Sequence, residues 1–215
     1  MRISSLAQLA ARLDRSLAWR KKELTQFKLL TDSCPSPSNA KILRRSGVAL
    51  LYAHWEGFVK DASNMYLAYL TNALADLGAL KSCFVAIALR RQISLAGQAK
   101  RTSLGIRLVE YLRSLDSPPA KKGRIPRQAV STRSNLKGVV LREIAATLGL
   151  DYSRFELKET PIINHLVELR NTIAHGGGVP IDLADYNSLH SDVIVLLDDY
   201  RDVIQDAADN DKHLR

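Results

Sequence analysis

The sequence predicts an all-α protein, a helical bundle of five or six helices with a basic loop or arm around residues 117–138. Three observations carry this. Apolar residues recur at three- and four-residue spacing over long stretches, as on the buried faces of amphipathic helices. Gly and Pro number only 11 and 7 in 215 residues, few for a turn-dense β fold. No stretch shows a convincing strand pattern, and no internal repeat is visible. The length suits one domain, 1–215, laid out as an N-terminal helix and linker (1–39), a core (40–208) carrying the basic insertion, and a tail (209–215).

The elements follow in order. Ile3, Leu6, Ala10, Leu13, Leu17, Leu24 and Phe27 mark a first amphipathic helix over 3–30. TDSCPSPSN, residues 31–39, stops it with two prolines and caps the next. A long helix follows over 40–75, with Leu43, Gly47, Leu50, Leu51, Trp55, Phe58, Ala62 and Leu67 near one side. Residues 80–93 form a short apolar helix, and 105–115 another. SPPAKKGRIPRQAVSTRSNLKG, 117–138, is rich in Pro, Ser and bases and has no apolar period, which reads as a loop outside the core. Helix returns over 135–148, closed by Gly149. Thr160 as N-cap and Pro161 at the first helical position start the next helix, running from 162 to 174. It is closed by Gly176–Gly178, since glycine takes the left-handed conformation past a helix end. A last helix spans 182–208.

Bulk composition excludes several classes. Hydrophobic content of 46% and charged content of 25% are ordinary for a soluble globular protein. No run approaches the ~18 apolar residues a membrane helix needs, and the first 22 residues lack a signal-peptide pattern. Cys34 and Cys83 have no metal or redox spacing, so neither disulfide, metal nor cofactor is expected, and a reducing cytoplasm fits. The net charge of +9 is unevenly spread: thirteen Lys/Arg face two acids over residues 90–142, and nine Asp face three bases over 181–215. A basic stripe of that size is the footprint of a polyanion partner, or else a solvated face with a flexible arm.

The stretch with most chemistry is ELRNTIAHGGG, residues 168–178. Positions four apart on a helix lie ~40° from each other, so Asn171 and His175 share a face with Glu168. Arg170 sits ~140° from His175, but its long side chain reaches toward the helix end. RNA cleavage without a metal needs a base for the 2′-hydroxyl, an acid for the leaving 5′-oxygen and a cation for the transition state. His titrates near neutrality, at ~6.5 unperturbed, and Arg pairs with two phosphate oxygens. One His cannot comfortably serve as acid and base together, so a second copy or a partner residue is wanted. The structural alternative is that cations at a helix C-terminus are favoured by the dipole, by ~0.3–1 kcal/mol each.

RNTIAH matches the Arg-x4–6-His signature of the HEPN superfamily, with a polar residue after the Arg. With LLYAHWEGFVK (50–60), SNLKGVVLREIAATLGLD (134–151) and the ELRNTIAHG helix in order, the chain resembles MAE-type HEPN proteins of bacterial toxin–antitoxin and defence loci. The resemblance covers residues 40–200. It implies a homodimer in which two motifs meet in one cleft, and metal-independent endoribonuclease activity. Arg170 and His175 would be the catalytic pair and Asn171 the polar supporter. An antitoxin or defence-system partner protein is implied too. Some HEPN proteins have lost activity and serve as RNA- or protein-binding modules, which is the alternative function. HEPN toxins with nucleotidyltransferase antitoxins often carry a Tyr two residues after the His; here that position is Gly177, so adenylylation there is not expected.

Two further sets of residues are candidates. In HWEGFVK, the structural reading makes Trp55 and Phe58 core anchors, Gly57 a point of helix approach and Glu56–Lys60 an i,i+4 pair. The functional reading brings Glu56 or His54 to support Arg170 or His175. In the basic arm, Lys121, Lys122, Arg124, Arg127, Arg133 and Lys137 are either RNA-backbone contacts or a solvated loop; backbone contacts add affinity without sequence preference. His165, ten residues before His175 on the same helix, is too far along the axis to act with it and reads as surface or bundle, while His190 and His213 show no metal-ligand spacing.

Overall fold

The computed structural model of the protein describes residues 3–73, 76–117, 125–126 and 129–215. Two long helices, α1 (Leu6–Asp32) and α2 (Pro37–Ala73), pack side by side, and α9 (Leu183–Asp209) lies against both. Between them in sequence come α3 (Ser82–Ala88), α4 (Arg90–Gln98), α5 (Ser103–Ser114), α6 (Gly138–Thr147), α7 (Ser153–Glu156) and α8 (His165–Ala174). The described residues form no strand beyond one isolated bridge, Leu80 to Leu214.

Local chemistry starts the main helices. The Ser5 hydroxyl accepts from the Gln8 amide at 3.3 Å and opens α1. Ser36 accepts from Asn39 at 3.3 Å, with Pro37 at the first helical position of α2. Asp182 accepts from the Asp185 amide at 2.8 Å and opens α9. Leu9, Leu13, Leu17 and Leu24 of α1 meet Trp55, Phe58 and Val59 of α2 and Val193, Leu197 and Tyr200 of α9 in one core. Trp55 is therefore a core anchor, edge-on to Tyr200 at 5.9 Å. Gly47, rather than Gly57, is the point of close approach: a Cβ there would stand 2.6 Å from the Tyr186 ring. Arg20, buried in α1, donates through its terminal nitrogens to Ser16 Oγ at 2.7 Å and to Asp61 of α2 at 2.7 Å. The end of the chain, expected only as a tail, packs: His213 is fully buried, and the Lys81 and Arg215 amides donate to the His213 and Ala79 carbonyls.

Four expectations are corrected. Helices number nine among the described residues, not five or six. The single helix expected over 80–93 breaks at Leu89, because Phe84 and Ile87 of α3 stay in the core while α4 buries nothing and pairs with α5. Thr160–Pro161 does not start a helix. The chain instead makes a π-helical turn, Glu159–Asn164, in which the Ile162 and Ile163 amides both donate to Lys158 O. This wide turn buries Ile163 and sets Asn164 Oδ1 2.9 Å from the Gly138 amide, so the contact with α6 overrides the local capping signal. Residues 117–138 are not wholly outside the core either. Ile125, Val130, Thr132 and Leu136 are buried, and α6 begins at Gly138 rather than 135. Three isolated apolar residues in a Pro- and Ser-rich segment, Ile125, Val130 and Leu136, have no helical period, yet each joins the buried core. Lys121, Lys122, Arg124 and Arg127 lie outside the described residues.

Candidate active site

The end of α8 carries the motif, and a Schellman cap fixes that end. Gly176, at φ +80°, donates to Ile173 O at 3.1 Å, and Gly177 donates to Thr172 O at 2.8 Å. The Gly177 carbonyl in turn accepts from Arg45 Nη2 of α2 at 2.5 Å. The glycines thus terminate the helix and pin it to α2. A side chain at 177 has no room, since a Cβ would meet Thr172 Cγ2 at 2.5 Å and Thr172 O at 2.8 Å.

Arg170 is held from several sides. Its guanidinium carbon lies 4.0 Å from the centre of the Tyr52 ring. Nη1 donates to Asn171 Oδ1 at 2.8 Å and Nη2 to the Ser134 carbonyl at 2.8 Å. Glu56 Oε2 stands 3.8 Å from Nη2, a longer electrostatic contact with 22% and 19% of the two side chains exposed. Asn171 continues the chain, donating to Asn135 Oδ1 at 3.4 Å. The amide therefore steadies the guanidinium rather than the imidazole. Glu56 turns to Arg170, and no Glu56–Lys60 pair forms among the described residues. A guanidinium stacked, hydrogen-bonded and partly solvated keeps a preset orientation with donor capacity to spare.

Tyr52, Ser134 and Asn135 were not singled out from the sequence. Tyr52 is 2% exposed, and its hydroxyl accepts the amide of fully buried Leu136 at 2.8 Å. Burial, with Glu56 adding to it, pushes the phenol above its ordinary range against the opposing pull of the Leu136 amide and Arg170. Ser134 sits in a turn closed by Asn135 N to Thr132 O at 3.1 Å, with Arg133 and Ser134 both at φ +54°. Left-handed backbone at a residue other than Gly costs of order 1–3 kcal/mol, and such strain persists only where surrounding contacts impose it. Here those contacts are the Tyr52–Leu136 bond and the Arg170 grip on Ser134 O. The signal available in sequence was only STRSN itself, a polar cluster prone to turns.

His175 is the C-cap residue, with an exposed imidazole making no hydrogen bond or ion pair among the described residues. The site thus joins a fixed cation to a free proton-transfer group at one helix end. His54 is elsewhere. It is 6% exposed on the α1 side, edge-on to Trp19 at 5.2 Å, with Nε2 2.9 Å from Glu23 Oε2. Of the two supporting candidates in α2, then, Glu56 is brought to the motif and His54 is not. Arg133 is exposed beside the site, and half-buried Lys137 stands at the N-cap position of α6 without a side-chain capping bond. His165 is exposed, while His190 and His213 are buried. No three His, Cys, Asp or Glu side chains gather as metal ligands among the described residues. No helix among them is long and apolar enough to cross a membrane.

The chain matches the RiboL-PSP-HEPN family model over residues 15–206, most of its length. No curated protein matches the chain, and no solved structure does.

Proposed function

The chain belongs to the RiboL-PSP-HEPN family, within the HEPN superfamily, and on that premise we propose that it is a metal-independent endoribonuclease acting through Arg170, Asn171 and His175. The observation that carries this reading is the contrast within the last two turns of the helix: Arg170 is oriented by Ser134, Asn171 and Tyr52, while His175 is exposed with no bond among the described residues.

An imidazole takes the 2′-hydroxyl proton, and the 2′-oxygen attacks the adjacent phosphorus. Charge gathers on the non-bridging oxygens, where a preoriented guanidinium stabilises it most. The P–O5′ bond breaks and a protonated imidazole delivers a proton to the departing oxygen. The products are a 2′,3′-cyclic phosphate and a 5′-hydroxyl. Base and acid must be different groups in one step, and a homodimer supplies His175 twice. The cleft between two protomers is part of this proposal, as are the MAE-type kinship, a role as toxin or defence effector, and a neutralising partner protein.

A second reading is favoured by one observation: two Arg170 donors are already spent inside the protein, on Ser134 O and Asn171 Oδ1. A residue so engaged also suits a non-catalytic RNA- or protein-binding module. Incubation with mixed RNA and chelator, wild type beside His175→Ala, separates the two. Cyclic-phosphate products from wild type alone support the enzyme. Salt-sensitive binding without products in both leaves the binding module.

A further inference from the structure

A cavity of about 780 Å³ lies beside the motif, between α3, α6 and residues 129–133. Its size falls within the ~300–1,000 Å³ of small-ligand sites. Ile87, Val130 and Ile144 give it apolar walls, while Arg90, Arg133 and Glu143 stand at its edge with exposed side chains. It shares a wall with the site already described. In the strained turn, Ser131 and Arg133 line the cavity, whereas Ser134 O and Asn135 Oδ1, on the same few residues, hold Arg170 and Asn171. This turn therefore links the cavity to the groups that hold Arg170 and Asn171.

Resting on the reading of Arg170 and His175 as an RNA site, we infer that this cavity is a base-binding subsite for single-stranded RNA. It receives one or two nucleobases next to the cleaved bond. Three features fit that occupant. The apolar side chains of Ile87, Val130 and Ile144 can pack against the faces of bases irrespective of sequence. Two arginines against one glutamate give the rim a positive balance suited to phosphates. Glu143 at the rim accepts hydrogen bonds, as the amino edges of cytosine and adenine require. The left-handed backbone at Arg133 fixes where its side chain leaves the turn, so the same strain that orients Ser134 toward Arg170 aims a cation at the cavity.

Fluorescence anisotropy with a labelled twelve-nucleotide RNA, 2′-O-methylated to prevent cleavage, tests this. Ala146, on α6, lines the cavity with an exposed side chain. Ala146→Trp fills the space and is expected to weaken binding about tenfold, or about 1.4 kcal/mol, without changing the salt dependence. Arg133→Gln is expected to weaken binding and to lower the salt slope by about 0.7, one phosphate contact on a single strand. Ala86→Trp, entering from α3, repeats the block if the first variant melts early. In cleavage assays with unmodified RNA, preference for a twelve-mer of the same sequence over a dinucleotide should fall at least about tenfold in Ala146→Trp. Wild-type binding by folded Ala146→Trp and Ala86→Trp overturns the inference, even where His175→Ala abolishes cutting. A wild type that binds but never cuts, with binding weakened by the tryptophans, keeps the subsite and removes the catalytic reading. A wild type that binds no RNA removes both.

Discussion

Arg170 of α8 lies over the ring of Tyr52 of α2 at 4.0 Å, and the Tyr52 hydroxyl accepts the Leu136 amide at 2.8 Å. One side chain thus supports the cation with its face and the turn that binds the cation with its edge. The two supports separate by substitution. Tyr52→Phe keeps the stacking surface but leaves the buried Leu136 N–H without an acceptor, a loss of about 1–3 kcal/mol. Tyr52→Leu loses both, so urea denaturation should show a similar or larger loss and RNA cleavage a much larger one than in Tyr52→Phe. Equal activity in the two variants would show that the ring does not position Arg170.

His175 contributes little to the fold because its side chain is exposed and makes no pair among the described residues. His175→Ala should stay within about 0.5 kcal/mol of wild-type stability while cleavage falls by roughly 10²–10⁴, the range for a lost general acid or base. Arg170→Lys should also be strongly impaired, since an ammonium keeps the charge but not the planar fork. Undiminished cutting by His175→Ala would remove the mechanism.

The helix end is predicted to tolerate no side chain at either glycine. Gly176→Ala places a Cβ on a left-handed residue at φ +80°, a cost of about 1–2 kcal/mol. Gly177→Tyr sets its Cβ within 2.8 Å of the Thr172 carbonyl oxygen, so the Schellman cap must open. Thermal melts should show both losses. A Gly177→Tyr variant with wild-type melting would contradict the cap geometry.

Three histidines make stability fall with acid. Burial is the main cause lowering the affinity of His54, His190 and His213 for a proton below the ordinary 6.5. Glu23 opposes that shift at His54 and Arg20 adds to it; Asp32 opposes and Lys28 adds at His190; Asp211 opposes and Lys81 adds at His213. The unfolded chain then binds more protons than the folded one below about pH 6.5, so stability is full above that pH and declines as pH drops toward the lowered folded values. Denaturation midpoints should decrease between pH 7.5 and 5.5, and His54→Gln should flatten the decline. A midpoint rising over that interval would contradict the sign.

Much of this was legible in the sequence because helical faces are a local, periodic signal. The long helices, the Trp55 and Phe58 anchors and the glycine stop after His175 all follow from spacing and from glycine's backbone freedom. The motif itself was also legible, since Arg170, Asn171 and His175 fall within six consecutive residues. Less was legible wherever a residue's role depends on a partner far along the chain. Glu56 and His54 are two apart on α2, yet one meets Arg170 and the other meets α1. Spacing on a helix fixes the angle between side chains but not which neighbour fills each direction.

By itself, then, the sequence determined the helical class, the position of the Arg–Asn–His cluster and the helix end on which it sits. Tertiary structure alone decided that the STRSN turn, 36 residues before the motif, would fold left-handed and hold Arg170 through a backbone carbonyl. A carbonyl is common to every residue and carries no sequence signature. Only packing, here the buried Tyr52–Leu136 bond and the core beneath it, specifies where one must stand.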